Sequence, residues 1–85
     1  MISKNQIKLI TSLHHKKFRQ ANQLFIAEGK KVIHELLDAN FQLHSLFQTE
    51  EIFLDLKKEL VFDLSTTDLK KISALNTPNN CLAVF

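Results

Sequence analysis

The chain has 85 residues, about 45% apolar and 24% charged, proportions typical of soluble globular proteins and enough for one small core but not two. Its formal charge is +2 and it has a single cysteine, which excludes an internal disulfide framework and fits a reducing, cytoplasmic setting. No stretch approaches the roughly 20 apolar residues that span a bilayer, and the opening residues lack the unbroken apolar run of a signal peptide, so neither membrane nor secretion is expected.

In chain order, residues 4–13 predict a helix, with Ile7, Ile10 and Leu13 three apart on one side. The polar, basic stretch 14–23 is compatible with either helix or loop, with Phe18 as its only large apolar anchor. Residues 24–27 are a short apolar run stopped by Glu28-Gly29, the pattern of a strand buried on both faces. Residues 30–39 predict a helix with Val32, Ile33, Leu36 and Leu37 as its stripe and Asn40 as its stop. A second strand is expected over 43–48.

Thr49 is then positioned to cap another helix, with Glu50 and Glu51 in its first turn. A third strand falls at 60–64. Ser65 and Asp68 resemble a capping box for a helix with Leu69, Ile72 and Leu75 on its apolar side. Thr77 to Asn80 reads as a turn, and Cys81 to Phe85 as a fourth strand. Strand and helix alternate four times, which predicts a three-layer α/β/α sandwich around a mixed four-stranded sheet. Gly29 and Pro78 are the only strong breakers, so residues 1–85 form one unit. The apolar final strand has no polar exit behind it, from which more protein is expected to follow.

The modest overall charge hides an asymmetry. Up to Lys31 there are seven basic residues and one acid, a net +6; from Val32 onward there are four basic residues and eight acids, a net −4. One end of the domain is thus suited to a polyanion.

Three stretches together resemble a known family. They are Ile2-Ser3-Lys4-Asn5-Gln6-Ile7-Lys8 with the basic Lys16-Lys17-Phe18-Arg19, then Leu24-Phe25-Ile26-Ala27-Glu28-Gly29-Lys30-Lys31-Val32, then 69–78 through Leu75-Asn76-Thr77-Pro78 to Leu82-Ala83-Val84. The chain is similar over its whole length to the N-terminal substrate-binding domain of SpoU/TrmH-type RNA 2′-O-ribose methyltransferases. The resemblance implies a fold like that of the ribosomal proteins that bind kinked RNA helices. It also implies a role in holding tRNA or rRNA, with S-adenosylmethionine bound by a following knotted catalytic domain whose motifs are not in this sequence. No cofactor and no catalysis are expected of these 85 residues themselves, and the full-length parent is expected to be a homodimer. After Pro78 relatives commonly read Gln-Gly where this chain has Asn79-Asn80, a difference that bears on the turn alone, since Asn also tolerates a left-handed backbone.

The expected RNA contacts are Arg19 first, then Lys17 and Lys16, with His15 assisting and Lys30 and Lys31 at the start of a helix. Lys and Arg contacts to phosphate supply most sequence-independent affinity for nucleic acid. Arg can also grip phosphate with two N–H groups or stack on a base. A helix start adds free N–H groups and a positive dipole end. The plainer reading of all these residues is a solvated charged face. Glu28 is expected to be structural, because an acid repels phosphate.

His14, His15, His34 and His44 are scattered, with one distant cysteine, so no metal site is expected. Cys81 reads as a small hydrophobe. Phe25, Phe47, Phe53, Phe62 and Phe85 read as core; Phe18 and Phe41 do not fall in clear apolar patterns. The competing reading is a protein-interaction module that docks on its own catalytic domain or mediates dimer contacts. It expects an exposed apolar patch near the last strand.

Overall fold

The computed structural model describes residues 2–85. Four helices, α1 (Lys4–Ser12), α2 (Lys16–Asn22), α3 (Lys30–Asp38) and α4 (Thr66–Ile72), and four strands, β1 (Ile26–Glu28), β2 (Ser45–Gln48), β3 (Val61–Asp63) and β4 (Cys81–Val84), follow one another in the order α1-α2-β1-α3-β2-β3-α4-β4. The strands form one mixed sheet in the order β1-β4-β2-β3. β4 is antiparallel to both β1 and β2, whereas β2 and β3 run parallel.

Alternation of side chains along each strand divides the interior in two. Ile26, Phe47, Leu82 and Val84 face a cluster completed by Ile10 and Leu13 at the end of the first helix and Leu69 and Ile72 of α4. Ala27, Leu46, Cys81 and Ala83 face the opposite cluster, which α3 closes with Ile33, Leu36 and Leu37. The result is the expected three-layer sandwich, with α1 and α4 on one face and α3 on the other. Phe47, Phe53 and Phe85 are buried, and Phe25 and Phe62 pack partly buried against the clusters. Phe18 and Phe41 are exposed.

Helix ends follow from local chemistry. Ser3 and Gln6 form a reciprocal capping box on α1, each side chain bonding the other's backbone N–H. Ser65 Oγ accepts from the Asp68 N–H at 3.1 Å to start α4. The Asp68 carboxylate does not complete a box; it pairs with Lys71 Nζ at 3.2 Å. α3 ends as a Schellman turn: Asn40 takes φ 65°, and the Asn40 and Phe41 N–H groups bond the Leu37 and Leu36 carbonyls.

Three expectations are corrected. Residues 49–57 form no helix, and only a 3-10 turn, Lys58–Leu60, precedes β3. Thr49 does not cap; its N–H and its hydroxyl both donate to the Asn80 carbonyl. The buried Gln48 amide oxygen instead accepts the Ile52 and Phe53 N–H groups, tying the segment down in irregular form. Leu75 is not on the apolar side of α4, because the helix ends at Ile72; Leu75 is 45% exposed. β4 lies inside the sheet, and β4 and Phe85 are buried throughout.

Candidate functional site

The basic stretch folds into α2, a short helix with no buried residue. Nothing apolar on it anchors it to the core, so its place is set by polar bonds. The Arg19 Nη1 donates to the Leu13 carbonyl at 3.0 Å, fastening α2 to the end of α1. At its far end Gln23 takes φ 55°, and the Leu24 N–H returns to the Arg19 carbonyl. His15 occupies the N-cap position but makes no capping bond; its ring meets Phe18 edge-on at 6.4 Å. The Lys17 ammonium lies 5.8 Å from the Phe18 ring centre, in range for a weak cation–π attraction.

His15, Lys16, Lys17 and Arg19 thus share one surface helix, with Lys16 and Lys17 exposed and Arg19 half-buried by its bond to Leu13. Lys30 and Lys31 lie elsewhere, exposed on the first turn of α3. The two groups sit at opposite ends of the three-residue strand β1, and no hydrogen bond joins them. Among the described residues the single ion pair is Lys71–Asp68. The cations of α2 and of the α3 start are consequently not neutralised within the domain.

Gly29 makes the joint between β1 and α3. Its φ of 99° is a conformation that side-chain-bearing residues rarely adopt, and an added Cβ would stand 3.3 Å from Asn79 Nδ2. The Gly29 N–H donates to the Cys81 carbonyl at 3.1 Å, locking the turn to the central strand. No side chain caps α3, which leaves its first-turn N–H groups without a helical partner.

Glu28 does what an acid beside cations was expected to do: it holds structure. One carboxylate oxygen accepts the Ser73 hydroxyl and the other the Ala74 N–H at 3.0 Å, binding β1 to the turn after α4. On the other side of that turn His14 Nε2 lies 3.0 Å from the Ile72 carbonyl oxygen. A carbonyl only accepts, so Nε2 carries the proton. Arg19, His14 and Glu28 then line one groove of about 450 Å³ with Leu13, Ile26 and Ala74. Sequence reasoning did not bring His14 and Glu28 to the Arg19 site, because the turn that unites them lies more than 40 positions away along the chain.

Cys81 is buried, and burial raises its thiol pKa above the ordinary value; the Gly29 N–H and Lys30 oppose that shift without reversing it. It is a packing residue, as expected. Among the described residues no group of three or more His, Cys, Asp and Glu is placed to hold a metal ion, and no helix is long and apolar enough to cross a membrane.

This architecture is that of a domain found within RNA methyltransferases. The chain is similar to a protein from Porphyromonas gingivalis assigned to the TrmH family of RNA methyltransferases, with 34% identity and a TM-score of 0.87, over 100% of this chain and 35% of that one. An rRNA methyltransferase from Sinorhizobium meliloti shares the fold at 20% identity and a TM-score of 0.78, over 100% of this chain and 34% of that one. An AdoMet-bound rRNA methyltransferase from Sinorhizobium meliloti matches at a TM-score of 0.76 and 21% identity, over 100% of this chain and 35% of that one. The chain thus spans about a third of the length of these structures. No curated protein gives a significant match. The model of the MRM3-like substrate binding domain matches residues 4–83, and the chain belongs to that family, in line with the SpoU/TrmH resemblance of its sequence.

Proposed function

We propose that this domain holds RNA by its phosphate backbone, positioning a ribose of tRNA or rRNA for 2′-O-methylation by a catalytic domain of the same protein. That catalytic domain is the part that binds S-adenosylmethionine, and the whole protein works as a cytoplasmic homodimer. Residues 1–85 are the substrate-binding domain and carry no catalytic group. Support comes from the family, from the P. gingivalis and S. meliloti methyltransferases of the same fold, and above all from one observation. His15 at the N-cap and Lys16, Lys17 and Arg19 within α2 are gathered on a helix that has no buried residue and, among the described residues, no ion-pair partner.

In this reading Arg19 is the chief contact. Its Nη1 bond to Leu13 fixes the guanidinium, so its remaining N–H groups can meet a phosphate with little further loss of side-chain freedom. Lys16 and Lys17 add mobile point charges. Lys30 and Lys31, with the uncapped N–H groups of α3, offer a second phosphate position beyond β1.

The test is an electrophoretic shift with structured rRNA and tRNA transcripts over a salt series. Five engaged cations should lose about 100- to 500-fold in affinity between roughly 50 and 200 mM salt. Arg19→Ala should weaken binding by about tenfold, and Arg19→Lys should recover only part of it. Binding indifferent to both salt and Arg19 rules the reading out.

A further inference from the structure

The groove lined by Arg19 does not end at the cationic helix. One side of it opens on a shallower depression of about 370 Å³, which Lys16, Gln20 and Gln23 line and which shares Arg19 and Phe25 with it. The other side runs along β1 to Glu28 and Ala74. Its volume of about 450 Å³ lies within the usual range for a small-molecule pocket. It also carries both signs of charge: Arg19 and Glu28 line it, and Lys16 lines the adjoining depression.

We propose that this groove takes a single unpaired nucleotide of the bound RNA, with its phosphate at Lys16 and Arg19 and its base turned toward Glu28, and that guanine is the preferred base. The proposal rests on the RNA-holding role above and adds a site and a preference to it. Three features carry it. First, the carboxylate repels phosphate from the Glu28 end, so a nucleotide can enter in only one orientation. Second, Leu13 and Ile26 give the groove apolar surface against which a base can lie.

Third, Glu28 is an acceptor of fixed direction. Each of its oxygens receives one bond, from Ser73 or from Ala74, and each keeps a further lone pair. Guanine offers two adjacent donors on its pairing edge, N1–H and the N2 amino group, which match the two oxygens of a carboxylate. Adenine and cytosine place a single amino group beside an acceptor. Uracil flanks its one N–H with two carbonyls that the carboxylate repels. Bases held out of a helix are read on this edge. The site is also built before the ligand arrives, because Glu28 and His14 already join β1 and the α1–α2 corner to the turn after α4.

The experiment is an amide chemical-shift titration of the ¹⁵N-labelled 85-residue chain with guanosine, adenosine and uridine 5′-monophosphates and with inorganic phosphate. Guanosine monophosphate should shift Ile26, Glu28 and Ala74 and bind about tenfold more tightly than uridine monophosphate. Inorganic phosphate should move α2 alone. Glu28→Gln, which keeps the side-chain length, should erase the preference between bases. Ala74→Trp fills the groove from an exposed position and should remove the guanosine shifts while the rest of the spectrum stays folded, so the idea stays testable if Glu28→Gln does not fold. Equal shifts for every nucleotide, confined to α2, overturn the nucleotide site and leave phosphate holding intact. Guanosine shifts without any salt-sensitive RNA binding overturn the phosphate-holding role instead.

Discussion

Two surface segments, α2 and residues 49–57, show opposite relations between sequence and structure. α2 is polar and basic, buries nothing, and is nevertheless a helix. Segment 49–57 contains Ile52, Phe53 and Leu56, begins with a plausible cap, and is nevertheless irregular. Apolar content therefore does not decide which of the two is regular. Polar anchors distinguish them: Arg19 ties α2 to the end of the preceding helix, whereas the Gln48 side chain holds the Ile52 and Phe53 N–H groups of the irregular segment. The difference has a functional side. A segment anchored by one bond, with its charges unspent, is free to bind; a segment that buries Phe53 and commits the Ile52 and Phe53 N–H groups to Gln48 serves the fold.

The largest effect should come from breaking the second anchor. Gln48 is 3% exposed, its amide oxygen accepts two backbone N–H groups and its nitrogen donates to Asp63. Replacing it by Leu leaves those donors without an acceptor inside the protein, at a cost of about 2–4 kcal/mol. Urea unfolding should show the loss as a lower midpoint at unchanged slope. RNA affinity, measured where both proteins are folded, should stay near wild type, since the Gln48 side chain bonds none of the basic residues. A variant as stable as wild type would mean that the segment is held by its apolar contacts alone.

A smaller effect should come from the joint that carries the second basic group. Gly29→Ala forces a side chain into φ 99° and against Asn79, which should cost about 1–3 kcal/mol. It should also weaken RNA binding more than its stability cost explains, because Lys30 and Lys31 follow directly from that turn. If binding is untouched while stability falls, the α3 start is not a phosphate position and the contact surface narrows to α2.

The Cys81 thiol sharpens the contrast between core and surface by pH. Burial holds its pKa up in the folded chain, so the folded state prefers the protonated thiol. This preference supports the fold below the ordinary thiol pKa and is lost as pH rises through the raised value. Alkylation of Cys81 should accordingly be slow in the folded protein and fast in urea. Rapid alkylation of the folded chain at neutral pH would show that β4 opens locally.

Much of the fold was legible because period and punctuation agree in it. The apolar runs at 24–27, 43–48, 60–64 and 81–85 each overlap a strand, with ends shifted by no more than two residues. Such shifts are ordinary, since strand bounds depend on which partner residues pair. What was not legible depends on contacts distant in sequence. Gln48 reads only as the end of the expected strand 43–48 until Asp63 of β3 and the Ile52 and Phe53 N–H groups meet its side chain. α4 reads as continuing to Leu75 until Glu28, 45 residues before Ser73, draws the turn aside. The site divides the same way: the cations were visible as a run of letters, whereas the groove they open on required His14 and Glu28 to meet across the fold.

The smallest expected effect tests whether α2 is as weakly fixed as its lack of burial implies. His15 stands at the N-cap position without a side-chain bond to the helix, where Ser would accept an N–H and add about 0.5 kcal/mol. In a helix held by a packed face, the burial of that face would swamp so small a gain. In α2, with one tether to Leu13 and no buried residue, it should appear as slower hydrogen exchange confined to the Arg19–Asn22 amides. The same substitution removes an imidazole from the basic surface, so RNA affinity reports on His15 separately. Unchanged affinity with a steadier helix would assign the grip to Lys16, Lys17 and Arg19. Weaker binding from a better-ordered helix would show that the imidazole itself meets the RNA.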